Sequence, residues 1–382
     1  MLKWSVGIVQ HAAEPLEGLQ EAAVLLADGS SGKAVYYYEE GTKRTLAPGD
    51  QVLLNTTAVS QNLGTGGYHF IHTVLPSNSS CSPEQLSAVY NNTEDHTEGH
   101  IVKLRYTSLQ RTVLAVEEPA SRYHELFSRP LSLEGMPVLI GELHSMLPVV
   151  LCRIRQLERR QNTRCRVAYI MSDGGALPIA FSRHVRRLKQ QEWLTGTVTY
   201  GHAYGGEVEA VNKYTALLAA KHVLQADIAV VIMGPGSVGT GTRLGFSGLE
   251  TGELINAAAA LGGEPIVIPR ISFLDPRERH RGLSHHLLTA LTVVSRAQAR
   301  VPLPELSGAQ GQRLREQLAA SGIETIHRLS LHEPIRAAEW DQALEAYPEP
   351  ILSMGREVRG DMAGLAGMGA AADEAWQCWR DR

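Results

Sequence analysis

The chain has 382 residues, 43% of them hydrophobic and 20% charged. That composition excludes a disordered or fibrous protein, and the length points to two domains rather than one. A formal net charge of −4 argues against a general nucleic-acid binder. The one basic cluster, Arg183 to Lys189, has the spacing of a solvated helix face.

Four cysteines, Cys81, Cys152, Cys165 and Cys378, show no CxxC pair, so neither a structural zinc site nor a disulfide framework is expected. The first residues, Met1 to Val9, contain a single Lys and no long apolar core, so they do not read as a secretory signal. No stretch reaches the roughly 18 continuous apolar residues of a membrane helix. A reduced, cytoplasmic protein without membrane contact is the expectation.

Residues 1–117 read as an all-β domain, a small barrel or a sandwich. Expected strands are Val6 to Gln10, Glu21 to Leu26, Lys33 to Tyr38, Gln51 to Asn55, Tyr68 to Leu75, Ile101 to Tyr106 and Arg111 to Val116. Turn chemistry such as Asp28-Gly29, Pro48-Gly49-Asp50 and Gly64 to Gly67 separates them. The polar stretch from Pro76 to Gly99 is expected to be an exposed loop. Thr56, Thr57 and His69 are read as structural.

Residues 118–135 read as a linker, and residues 136–382 as a parallel α/β domain. Strands are expected at Pro137 to Gly141, Arg166 to Met171, Thr195 to Tyr200, Ala226 to Met233 and Pro265 to Pro269, with a further one at Glu324 to Leu329. Helices are expected at Leu147 to Arg160, Leu177 to Gln191, Val208 to Leu224, Glu250 to Leu261 and Ser284 to Ala299. Three more lie near Gln310 to Ala320, Pro334 to Glu345 and Ala363 to Trp379, and they offer packing on the sheet or a homodimer contact. Strand and helix alternate, which implies a parallel sheet with helices on both faces, a Rossmann-like three-layer fold. Asp227-Ile-Ala-Val-Val-Ile-Met233, β-branched and without polar alternation, has the pattern of a strand buried on both faces.

In such a sheet every loop after a strand lies on one edge, where open α/β sheets bind ligands. The loops carry Glu142 and His144; Ser172-Asp173-Gly-Gly175; Gly201-His202 to Glu207; the glycine-rich Gly234 to Gly248; and Arg270 to Gly282. Gly234-Pro-Gly236-Ser237-Val-Gly239 matches the letters G-x-G-x-x-G, but Thr240 to Gly248 prolongs the loop where a dinucleotide-binding helix should begin. Pro269-Arg270 also stands where a ribose-binding carboxylate is expected. No Lys follows these glycines, so the loop is not a Walker A motif. A cradle for a phosphate or carboxylate remains, with backbone N–H groups of Gly234 to Gly241, hydroxyls of Thr240, Thr242 and Ser247, and the guanidinium of Arg243.

His202, with Asp173 or Glu207, has the composition of a general acid–base pair. Arg270, Arg277 and His280 belong to a basic segment with Arg279 and Arg281 that suits an anion clamp. His285 and His286, with His202 and Asp173, compose an alternative metal set, although no HExxH-like spacing supports one.

Leu54-Asn-Thr-Thr-Ala-Val59, Gly64-Thr-Gly-Gly-Tyr-His-Phe70, Ser172-Asp-Gly-Gly-Ala-Leu-Pro178, Gly201-His202 and Gly234 to Thr242 together resemble a bacterial family catalogued as domain of unknown function 3866. The resemblance covers nearly the whole chain and implies a bacterial cytoplasmic protein. It brings no activity, cofactor or catalytic residue with it. The expected function is binding, with or without turnover by a hydrolase or transferase reaction, of an anionic small molecule such as a nucleotide or sugar phosphate. The alternatives are a non-catalytic metabolite-sensing or scaffolding module and a metal-assisted hydrolase.

Overall fold

The computed structural model describes residues 2–16, 18–38, 45–64, 66–76 and 99–382. Cys81 and nearly all of the polar stretch expected as a loop lie outside them. The chain divides into two compact units, Met1–Arg122 and Tyr123–Arg382.

In the first unit β1 (Trp4–Ala12), β2 (Leu19–Leu26), β3 (Ser31–Tyr37), β4 (Gln51–Asn55) and β5 (Tyr68–Val74) close into a five-stranded barrel of order β1-β2-β3-β5-β4. A barrel, not a sandwich, is the outcome. All pairings are antiparallel except β3 with β5. Alternate residues such as Ala22 and Val24, or Val52 and Leu54, point inward and form its core with Val9, Leu46 and Ile71. Closure leaves no unpaired edge. Two shorter strands, β6 (Ile101–Lys103) and β7 (Arg111–Val113), pair with each other. Asn55 ties this region together: its amide donates to the carbonyls of Ser108 and Gln110, and its oxygen accepts from Thr57 N. Thr57 Oγ1 in turn accepts from Lys3 N at 2.8 Å.

In the second unit, eight strands form one parallel sheet: β8 (Pro137–Gly141), β9 (Val167–Ser172), β10 (Gly196–Tyr200), β11 (Val208–Ala210), β12 (Ile228–Met233), β13 (Glu264–Val267), β16 (Arg300–Pro304) and β17 (Arg328–His332). Their order is β11-β10-β9-β12-β8-β13-β16-β17. A separate two-residue hairpin, β14 (Ile271–Ser272) with β15 (Gly282–Leu283), follows β13. Every residue of β8, β9, β10 and β12 is buried, as the unbroken apolar reading of β12 predicts.

The α-helices of five residues or more among the described residues are α1 (Met146–Gln161), α2 (Arg183–Gln190), α3 (Lys213–His222), α4 (Glu250–Ala260), α5 (His285–Thr289), α6 (Gly308–Ser321), α7 (Ala337–Glu345) and α8 (Met362–Arg380). α1, α7 and α8 share one core with the sheet, in which Leu151, Ile154, Trp340, Ala371 and Trp376 are buried. α3 packs on β10 and on α4, and α4 packs on β8 and β13. In α2 only Val185 and Leu188 are buried, so its basic residues form a solvated face.

Several expectations need correction: the helix expected over Ser284 to Ala299 is an α-helix only to Thr289, and the strand expected at Glu324 to Leu329 lies at Arg328–His332, behind a 3₁₀ turn. Val208–Ala210 begins no helix: Val208 pairs with Val198 in β11, and the helix starts at Lys213 because Asn212 caps it, accepting from Tyr214 N and Thr215 N. The helix expected from Leu177 starts at Arg183, behind a 3₁₀ turn, where Ser182 accepts from Val185 N. β16 escapes sequence reasoning because Pro302 and Pro304 argue against a strand. It tolerates them by pairing with β13 through one residue only, Ile266 with Arg300, while five residues pair with β17.

Candidate functional site

Strand order positions the site. From β9 the chain moves away toward β10, whereas from β12 it crosses β8 toward β13, so the connections diverge at the boundary between β9 and β12. Such a divergence opens a crevice at the carboxyl edge of a parallel sheet. Register brings the loops level. Ile232 pairs with both Met171 and Gly141, Met233 with Ser172, and Val267 with Ile140. Glu142, Asp173, Gly234 and Arg270 therefore leave the sheet at about the same height.

The glycine loop after β12 is a closed structure in its own right. Gly239 bridges Phe246, Thr240 N donates to Gly245 O at 2.8 Å, and Ser247 N donates to Val238 O at 3.0 Å. The hydroxyls complete it. Thr240 Oγ1 and Thr242 Oγ1 lie 2.9 Å apart, Thr242 Oγ1 accepts from Gly245 N, and Ser247 Oγ accepts from Val238 N. Gly236 and Gly241 adopt φ of +111° and +78°, conformations open to glycine and strained for other residues. Gly234 passes so close to Met171 that a Cβ there would stand 2.4 Å from its Cε. Beneath the loop, Glu250 at the start of α4 accepts from Ser172 Oγ at 2.6 Å and Tyr200 OH at 2.8 Å.

The residues singled out from sequence separate into two groups. In the first, Asp173 Oδ1 accepts the backbone N–H groups of His202 at 2.5 Å and Ala203 at 3.2 Å, so this carboxylate shapes the loop after β10. Glu207 pairs with Lys189 Nζ at 2.5 Å and accepts from Thr197 N, on the outer side of β10. The structure thus gives the two carboxylates partners other than the His202 ring.

The second group converges. A pocket of about 240 Å³ is lined by Ser237, Gly239, Ser247 and Gly248 of the glycine loop, by Glu142, by Arg270, Arg277 and Arg279, and by His286. The basic segment therefore does reach the glycine loop: a Cβ on Gly241 would stand 3.9 Å from the Arg279 guanidinium. Arg243 is exposed and does not line this pocket.

At its floor Arg270 donates to Glu142 Oε1, and His286 Nδ1 lies 3.5 Å from the same oxygen. Burial alone would push the Glu142 carboxyl up, but hydrogen bonds from His286 and Arg270 and the charge of Arg270 hold it below the usual value. Glu142 Oε2 is buried without a hydrogen-bond partner, and a Cβ on Gly248 would stand 2.9 Å from it. Asp275, 3% exposed, takes a two-pronged grip from Arg277 at 2.9 and 2.8 Å, which holds its carboxyl well below the ordinary range. Arg270 and Arg277 are thereby matched by Glu142 and Asp275. Arg279 is exposed and makes no ion pair among the described residues. It leaves the pocket's rim cationic.

Behind Arg270 the chain turns through the β14–β15 hairpin into Ser284, which caps α5. Ser284 N donates to Arg270 O, and Ser284 Oγ accepts from His286 N at 3.2 Å and lies 2.8 Å from His280 Nδ1. His280, His285 and His286 are gathered by this turn, with ring centroids 4.4 to 5.1 Å apart. Phe246 stacks flat on His286 at 3.8 Å. Burial, then the charges of Arg270 and Arg277, pull the His280 imidazole down to about 3. Burial also lowers His285.

Glu142 and Ser284 are the contributors that sequence reasoning names without a role or passes over. A carboxylate directly after a wholly buried strand was the available signal for Glu142.

The family model described as "Protein of unknown function (DUF3866)" matches residues 33–372. Among curated proteins none matches the chain.

Proposed function

The chain belongs to this family of unknown function, and we propose that its sheet-edge pocket binds the anionic head of a small molecule, a phosphate such as that of a nucleotide or sugar phosphate. The carrying observation is the pocket lined jointly by the glycine loop and three arginines, of which Arg279 alone makes no ion pair among the described residues. A guanidinium left over at the mouth of a glycine-lined recess attracts and fixes an oxyanion. The cation expected at Arg243 is thus assigned to Arg279. At about 240 Å³ the recess is smaller than the about 300–1,000 Å³ of sites that enclose a whole ligand. It takes a phosphoryl or carboxylate group and leaves the remainder outside.

On this reading the sheet is doubly wound in the Rossmann-like manner, with α1 and α8 on one face and α3 and α4 on the other. Support comes from the divergence of connections at β9 and β12, because right-handed crossovers running in opposite directions place their helices on opposite faces. Binding is the core of the reading. Glu142 is engaged by Arg270 rather than facing the recess as a free base, which favours sensing as the second reading.

The test is calorimetric titration of metal-stripped protein with inorganic phosphate and with a nucleoside monophosphate. Saturable binding is expected, weakened about 10- to 100-fold by Arg279→Ala, the effect of losing one charge-assisted contact. Equal binding by wild type, Arg279→Ala and Arg277→Ala would reject the site.

A further inference from the structure

We infer that His280, His285 and His286 form a binding site for one divalent transition-metal ion of the Zn²⁺ class. Each imidazole offers a nitrogen, and the three ligand atoms lie within 4.8 Å of one another. Independently, the Nε2 atoms of all three residues are buried and have no hydrogen-bond partner among the described residues. A buried polar atom without a partner is costly, and native interiors hold few of them. Three on neighbouring rings have a common explanation in a shared partner. That partner accepts lone pairs, because neutral imidazoles cannot all satisfy one another.

The surroundings fit ligation. Two of the rings are held from behind through Nδ1. His280 Nδ1 is within hydrogen-bond distance of Ser284 Oγ, and His286 Nδ1 faces Glu142 Oε1 at 3.5 Å. A carboxylate or hydroxyl behind a ligating imidazole fixes the tautomer that presents Nε2 to the ion. Three nitrogens about 2.0–2.1 Å from a tetrahedral ion stand about 3.4 Å apart. Small ring rotations therefore close the set. Three imidazoles without a thiolate suit Zn²⁺, and they leave a fourth position for water or an anionic oxygen.

His286 also lines the anion pocket, so the ion sits at its wall. The metal site extends the anion reading without depending on it. In combination they place a Lewis acid beside a bound oxyanion, the arrangement of metal-assisted hydrolysis. The sequence offers His285 and His286 with His202 and Asp173 as an alternative set by residue type alone, whereas the converging set replaces those two with His280.

The experiment uses full-length protein without a polyhistidine tag. It is stripped with chelator and titrated with Co²⁺, with Zn²⁺ competition and metal analysis after gel filtration. One equivalent per chain is expected, with the strong visible bands of four-coordinate Co²⁺ and a rise in melting temperature on Zn²⁺ addition. His280→Ala, His285→Ala and His286→Ala should each lose the bands and the stoichiometric metal, while His202→Ala keeps both. Circular dichroism and melting of the metal-free variants establish that they are folded. If a variant does not fold, His285→Gln, at the least buried of the three, is read instead. Absence of stoichiometric metal in folded wild type, or equal retention by the variants, which would mean an adventitious ion only, overturns the inference. Arg279→Ala separates the two proposals: it should keep Co²⁺ binding and lose phosphate.

Discussion

The loops after β10 and β13 look alike in sequence, since each has histidine, carboxylate and glycine at a strand end, yet they use these groups in opposite ways. Around the loop after β10, Asp173 at the end of β9 spends its oxygen on the backbone of His202 and Ala203, and Glu207 faces Lys189. Around the loop after β13, paired charges are buried and polar atoms are left over: Glu142 Oε2, just after β8, and three imidazole nitrogens have no hydrogen-bond partner among the described residues, and Arg279 makes no ion pair among them. A polar group that already holds the backbone is structure, and one that folding leaves unsatisfied is available for a ligand.

The sharpest way to break this contrast is Arg270→Met, which strands Glu142 in a buried site. We expect a loss of about 3–5 kcal/mol in urea unfolding, as for other buried pairs deprived of one partner. A loss under 1 kcal/mol would show that the pair is not desolvated. Asp173→Ala should cost less, about 1–3 kcal/mol for two backbone donors left without their acceptor, and should leave phosphate and Co²⁺ binding unchanged. A strong binding defect would move the site toward β10.

The smallest effect is acid sensitivity. Burial, then the neighbouring His184, pulls His144 down to about 4, and His280 lies near 3. Both folded values fall below the unfolded value of about 6.5, so the unfolded chain binds protons first. Their stabilising contribution is complete above that value and is lost as pH falls from about 6.5 toward 4. Melting temperatures between pH 8 and pH 4.5 should follow that sense, with a shallower slope in His144→Gln. A curve flat to pH 4.5 would contradict the buried, neutral imidazoles.

Much of the architecture was legible before any coordinates. The apolar run into Met233 marks a central strand, Pro137 to Gly141 and Gln51 to Asn55 match their strands residue for residue, and α1, α4 and α8 deviate by no more than about one residue at each end. These elements are dictated by local periodicity and burial on known faces. β16 was not legible, because its prolines are tolerated only through its near-absent pairing with β13. Of the site, Ser237, Gly239, Ser247, Arg270 and Arg277 were named and do line one pocket, while Arg243 and the His202 group stand elsewhere.

By itself the sequence determines that a parallel sheet ends in glycine-rich and basic loops, because strand pattern and turn chemistry act over a few residues at a time. Only the tertiary structure decides which of those loops share a wall. Strand order brings β8 between β12 and β13, and so sets Glu142 against Arg270, 128 residues later in the chain. A hydrogen bond over such a separation leaves no periodic trace in the chain. Whether His202 or His286 is left with an open nitrogen depends on that pairing, not on either residue's neighbours in sequence.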